Sequence, residues 1–180
     1  MHLPRAIVTA ALAVVLSASA LPVSAARVTS LAPGATAPAF TLPAREGQVS
    51  LEALKGKVVY VDFWASWCEP CRRSFAWMNT LHEKYGDHLA IVAIDLDRRR
   101  EDAEGFLAKN PVPFSIAFDP AGKVAEAFHV AAMPSSFVLG PDGKVLHAQA
   151  GFDPKKTGEM EALLTSACAR VASTAAVAVP

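Results

Sequence analysis

The junction at residues 58–71 constrains the fold more than any other feature of this chain. Residues 58–63 are apolar and largely β-branched except for Asp62, the pattern of a strand covered on both faces. Cys68-Glu69-Pro70-Cys71 follows almost at once. Phe75, Met78 and Leu81 then fall at helical spacing, with Tyr85 one turn on, before Gly86 and Asp87 stop the run. A buried strand therefore feeds a helix, expected from about Cys68 to Tyr85, that opens on a Cys-x-x-Cys.

This placement has chemical consequences. Unpaired N–H groups and the positive dipole end at a helix N-terminus stabilise an anion. A thiolate held there has a lowered pKa, and the thiolate is the nucleophile. Cys68, at the tip, is expected to be the attacking, exposed sulfur. Cys71, almost a turn later, can close a small ring with it and is expected to resolve from one layer deeper. The implied cycle is attack on a foreign disulfide, a mixed disulfide through Cys68, and release by Cys71. The competing reading is a zinc half-site or two inert cysteines. Structural zinc takes four ligands, and neither Cys168 nor the five histidines supplies a second pair at metal-binding spacing. No metal and no cofactor are expected.

Beyond the junction, strands and helices alternate. Residues 89–96 read as a second buried strand, 101–109 as a short helix closed by Asn110 and Pro111, 114–118 as a short strand and 121–128 as a short helix. Two strands, 136–139 and 144–149, flank the turn signal Gly140-Pro141-Asp142-Gly143. Asp153-Pro154 opens a last helix with Met160, Leu163, Leu164, Ala167, Cys168 and Val171 on one face. The order implies an α/β layer architecture with an antiparallel hairpin at one edge.

Seventeen basic and seventeen acidic side chains balance over 180 residues, so no net field points to nucleic acid or to an anionic membrane surface. The basic run Arg98-Arg99-Arg100 is followed by Glu101, Asp102 and Glu104 and reads as a solvated helix start. Residues 1–25 read as an export signal. Arg5 gives a positive start, residues 6–16 an apolar stretch interrupted by Thr9, and Val23-Ser24-Ala25 a cleavage site, with Ala18-Ser19-Ala20 as a second option. A periplasmic location is expected, with membrane contact only if the signal stays uncleaved. Residues 26–38 read as a linker, 39–171 as the folded domain and 172–180 as a flexible tail. Three cysteines are too few for a disulfide framework.

The segment Val61-Asp62-Phe63-Trp64-Ala65-Ser66-Trp67-Cys68-Glu69-Pro70-Cys71 resembles the active-site stretch of thioredoxins. Ala37-Pro38-Ala39-Phe40-Thr41-Leu42 with Leu54-Lys55-Gly56-Lys57, and Met133-Pro134-Ser135-Ser136-Phe137-Val138-Leu139 with Pro141-Asp142-Gly143-Lys144, resemble two signatures of the TlpA/ResA and redoxin group of exported thioredoxins. The likeness spans roughly residues 35–165. It implies a thioredoxin-like fold, a central mixed β-sheet flanked by helices with an N-terminal β extension. It implies that Pro134 is the cis proline beside the cysteine pair, with Met133 offering its backbone to an extended substrate. It implies that Asp62 is the buried acid beneath the resolving cysteine, able to take the proton of Cys71.

Glu69, between the cysteines, should oppose thiolate formation at Cys68, and Pro70 should stiffen the turn. Trp64 and Trp67 are expected to shape an apolar rim, with core packing the commoner role for Trp64. Ser74 stands where ResA-like proteins tend to carry Glu, which places more of the acid–base work on Asp62, and Ala76 replaces a helix-kinking proline. Arg72 and Arg73 read as solvated, and Cys168 as a buried, inert thiol.

The function this implies is reduction of disulfides in exported clients, with apocytochrome c or a copper-centre assembly protein as the client the resemblance suggests and a membrane thiol donor as the electron source. A thiol peroxidase is the second reading, since peroxiredoxins share the Ala-Pro-x-Phe-x-Leu opening. Copper delivery is the third, since soft thiolates suit Cu(I); His129 is its poor extra ligand.

Overall fold

The computed structural model describes residues 31–177. The expected export signal (1–25), residues 26–30 of the expected linker and residues 178–180 of the expected tail lie outside the described residues. Two short strands, β1 (Thr41–Pro43) and β2 (Gln48–Ser50), pair antiparallel as the N-terminal extension. A five-stranded mixed sheet follows, in the order β5-β4-β3-β6-β7. Its members are β3 (Val58–Trp64), β4 (Leu89–Asp95), β5 (Ser115–Phe118), β6 (Ser135–Leu139) and β7 (Val145–Ala150). β3, β4 and β5 run parallel; β6 and β7 run antiparallel to their neighbours. The helices are α1 (Glu69–Tyr85), α2 (Arg100–Leu107), α3 (Lys123–Ala127) and α4 (Thr157–Val177).

Central β3 is buried along its whole length, which is why its sequence reads as a nearly continuous apolar run. Alternate residues point to opposite faces. Val58, Tyr60 and Trp64 join Phe75, Met78 and Leu81 of α1, Ala103, Phe106 and Leu107 of α2, and Met160, Leu164 and Ala167 of α4. Val59, Val61 and Phe63 turn the other way, to Phe40, Leu51, Phe128 and Phe137. Trp64 meets Phe75 edge-on at 4.7 Å between ring centroids and Phe106 at 5.0 Å. Those contacts seat the start of α1 on the end of β3, and truncating Phe75 to alanine would cost about 3–5 kcal/mol.

Several expectations need correction. Residues 31–38 are not a free linker: the Gly34 and Ala37 N–H groups donate to Val145 and Gly143, and Ala37 is buried. Residues 172–177 continue α4 in place of the frayed tail. The last helix is preceded by a separate 3-10 turn, Pro154–Lys156, because Asp153 caps Lys155. The hairpin between β6 and β7 closes as the sequence implies, with Gly143 at a φ of 77° and Asp142 accepting the Lys144 N–H. The arginine run is exposed; Arg99 and Arg100 pair with acids of α2. No helix among the described residues is long and apolar enough to cross a membrane.

Candidate active site

Cys68 is the N-cap of α1. Its backbone is extended, with φ at −85° and ψ at 101°, and its sulfur accepts the Cys71 N–H across 3.3 Å. Pro70 sits in the first turn, where a missing N–H removes no helical bond. The two cysteines are joined in a disulfide with their Cα atoms 5.3 Å apart. Cys71 is fully buried, one layer below Cys68, and its carbonyl accepts the Ser74 hydroxyl at 2.9 Å. The expectation of an exposed Cys68 needs correction, because in the disulfide form that residue is only 5 % exposed. What stands out into solvent is its neighbour Trp67, 71 % exposed and, among the described residues, the one large apolar side chain left uncovered. Trp64 is fully buried, so only Trp67 can contribute to a rim. Glu69 is exposed and pairs with Arg72 at 3.2 Å.

Asp62 lies on β3 between Tyr60 and Trp64, on the side of the sheet that packs against Cys71. It is 1 % exposed, and its Oδ2 meets no hydrogen-bond partner among the described residues. Burial lifts its carboxyl well above the usual carboxylate range. Burial first, and the Asp62 charge second, push the Tyr60 phenol up as well.

Register brings the proline loop to the same end of the sheet. Phe63 of β3 pairs with Ser135 of β6, so Pro134 stands level with the exit of β3 toward Cys68. The Met133–Pro134 peptide is cis, Pro134 is buried, and its carbonyl accepts the Gly151 N–H at 2.7 Å. Met133 is partly buried against the cluster that holds both cysteines. A groove of about 580 Å³ opens beside the helix tip, bordered by Ser66, Arg72, Phe106 and Lys109.

Two acids absent from the sequence reading also converge here. Asp97 is buried and its Oδ2 accepts the Ser66 N–H at 2.8 Å, two residues before Cys68. Asp95 is buried at the end of β4, opposite Trp64. The signal was available: Asp95 interrupts an apolar strand just as Asp62 does. Cys168 is a buried free thiol whose sulfur donates to the His88 carbonyl at 3.5 Å, and burial raises its pKa. Among the described residues no three His, Cys, Asp or Glu side chains gather to hold a metal ion.

The redoxin family profile matches residues 32–164. The thiol-disulfide oxidoreductase ResA of Bacillus cereus is 34 % identical over 125 residues, covering 68 % of this chain and 72 % of its own length. ResA of Bacillus subtilis is 32 % identical over 124 residues, covering 68 % of this chain and 69 % of its own. A crystal structure described as a thiol:disulfide interchange protein DsbE, from Chlorobium tepidum, superposes with a TM-score of 0.75 at 44 % identity, over 77 % of this chain and 99 % of that one. The mixed sheet, the strand pair before it and the bonded cysteines at the tip of α1 match that kinship, and the chain belongs to the redoxin family as a thiol–disulfide oxidoreductase.

Proposed function

We propose that this enzyme reduces disulfides of exported client proteins through Cys68 and Cys71, and that a membrane thiol donor restores its dithiol. The single observation that carries the reading is a disulfide whose outer sulfur caps α1 and accepts a helix N–H, beside an exposed tryptophan. In the reduced enzyme the Cys68 thiolate attacks one sulfur of the client cystine, and the other client sulfur leaves as a thiolate. Cys71 then loses its proton and attacks Cys68. The second client sulfur leaves, the client is reduced by two electrons, and the enzyme ends in the disulfide state.

Asp62 is the acceptor for the Cys71 proton. Burial holds its carboxyl well above the usual carboxylate range, which favours uptake of that proton over what an exposed acid would offer. Met133 and Pro134 offer a backbone edge to an extended client segment, as in strand addition. Trp67 supplies apolar contact, and Pro70 keeps the first turn rigid. Glu69 favours the reducing direction. An acid next to Cys68 destabilises its thiolate, which weakens the dithiol form and lowers the potential. The clients suggested by the resemblance are apocytochrome c and copper-centre assembly proteins, in the periplasm.

A Cys71→Ser variant tests the reading. It should accumulate mixed disulfides on Cys68 when exposed to the exported proteome, identified by mass spectrometry against a Cys68→Ser control. No adducts above that control would overturn it. Direction is tested by equilibration with glutathione: a potential near that of strong exported oxidants, about −120 mV, would make the enzyme an oxidant instead.

A further inference from the structure

The reaction above makes no use of Asp95 and Asp97. Both are buried, at 1 % and 5 % exposure. Alternation along β4 places Asp95 with Leu89, Ile91 and Ala93 on the side that carries Cys68 and Cys71. The loop between β3 and α1 is tied to the end of β4 at two points. The Leu96 N–H donates to the Trp64 carbonyl at 2.9 Å, and the Ser66 N–H donates to Asp97 Oδ2 at 2.8 Å. The same loop closes on Cys68, whose N–H reaches the Ala65 carbonyl at 3.1 Å. Asp97 is thus a side-chain hold on the segment that delivers Cys68 to the helix tip.

Asp95 poses the opposite problem. Neither of its carboxyl oxygens makes a well-formed hydrogen bond to a donor among the described residues, the Asp97 N–H reaching it only poorly. Two neighbouring buried carboxyl groups cannot both carry full charge. A protonated carboxyl is a donor, and an ionised carboxylate keeps lone pairs to spare. We propose that Asp95 is the neutral partner of this pair, donating a hydrogen bond to the Asp97 carboxylate and fixing it on Ser66, so that the two acids are positioning residues for Cys68.

The electrostatics agree with the geometry. Burial first, then hydrogen bonding with the Asp97 side chain and its charge, push the Asp95 carboxyl up to about 8, against a smaller opposing pull from the Asp97 N–H. From α2, Asp102 adds negative potential, and Arg99 holds Asp102 at 3.5 Å. Arg100 lies 4.2 Å from the ring centre of Phe118, the neighbour of Asp95 on β5. After β5, Asp119 is committed to the N–H groups of Lys123, Val124 and Ala125. From β3 comes the Trp64 indole, which does not titrate.

The test uses the full chain in its disulfide form, where Cys68 and Cys71 cannot titrate. The Asp95 carboxyl carbon and the Ser66 amide are followed by NMR from about pH 6 to about pH 10. Both resonances should move together with a midpoint near 8. In Asp95→Asn, whose amide donates but does not ionise, Ser66 should stay flat. A flat Ser66 in the wild type, or a titration that survives in Asp95→Asn, overturns the pairing. Should that variant fail to fold, the wild-type resonances still decide, because a Ser66 that does not follow Asp95 sinks the proposal.

A second arm rests on the disulfide-exchange reading. The rate of insulin reduction by Asp95→Asn relative to wild type should rise roughly threefold between about pH 7 and about pH 9. A flat ratio beside a shared titration would leave the pair intact and overturn its positioning role. The resonance arm does not depend on the enzyme's direction or client, so its failure is distinct from failure of the proposed function.

Discussion

The Cys71 N–H donates to the Sγ of Cys68 across 3.3 Å, so the first turn of α1 closes on the sulfur that opens it. Negative charge gathering on that sulfur is therefore stabilised by the helix and felt by every charge in the first turn. Glu69 and Arg72, 3.2 Å apart and exposed, are two such charges of opposite sign. Glu69→Gln should make the pair more oxidising by about 5–20 mV, the equivalent of an exposed charge interaction. Arg72→Ala should shift it the other way. Both shifts should shrink in high salt, and equilibration with glutathione buffers measures them.

Asp62 gives a prediction with a definite sign in pH. Its folded-state pKa is raised by burial, so the folded chain holds a proton the unfolded chain releases. Its contribution is favourable below the ordinary carboxylate pKa and is lost as pH rises toward the folded value. Asp62→Ala should therefore be more stable than wild type at neutral to alkaline pH, by about 1–3 kcal/mol, and lose that advantage near about pH 3. Urea unfolding across pH reads this. Resolution of a mixed disulfide in the same variant should slow roughly 100-fold, measured by stopped flow.

Glu161 should matter for stability alone. From α4 it accepts the Trp77 indole N–H at 3.2 Å and the Lys84 ammonium at 2.7 Å, while its carbonyl accepts the Tyr85 hydroxyl at 3.0 Å. Hydrogen bonds from Lys84 and then Trp77 hold its carboxyl below the ordinary value. That stabilisation is complete above the unfolded pKa and is lost as pH falls through the folded one. Glu161→Ala should cost about 1–2 kcal/mol at neutral pH, less in acid, with disulfide exchange unchanged; thermal melts at two pH values check it.

Trp67 should behave in the reverse way. It is 71 % exposed and contributes little to the core, so Trp67→Ala should change stability by no more than about 0.5 kcal/mol. Exchange with a protein disulfide should fall about fivefold, while exchange with a small disulfide such as oxidised glutathione is nearly unaffected, because only the protein offers a surface to the indole.

Much of this molecule was legible in one dimension. Residues 58–63 announce a strand covered on both faces, and the helical run after Cys68 announces α1, because both signals are local periodicities of apolar side chains. The boundaries shifted by a residue or two where caps decide them, as when Cys68 became the N-cap of α1 and Asp153 a cap of its own short turn. Trp64 and Trp67 look alike in the sequence; alternation along β3 sends the first inward, and the loop beyond the strand sends the second out.

The order of strands and helices, the bonded pair at a helix tip and the buried acid in β3 were determined by the sequence, since each follows from spacing along a single element. Only the tertiary structure decided that Pro134 stands level with the exit of β3, that Asp97 holds Ser66 while Asp95 lies buried without a well-formed hydrogen bond, and that Glu161 joins α4 to α1. Those relationships join residues 31 to 84 positions apart, through strand register and helix docking. The free energy that selects them belongs to the packed whole, where the buried Asp97 carboxylate is satisfied by an N–H from the loop after β3.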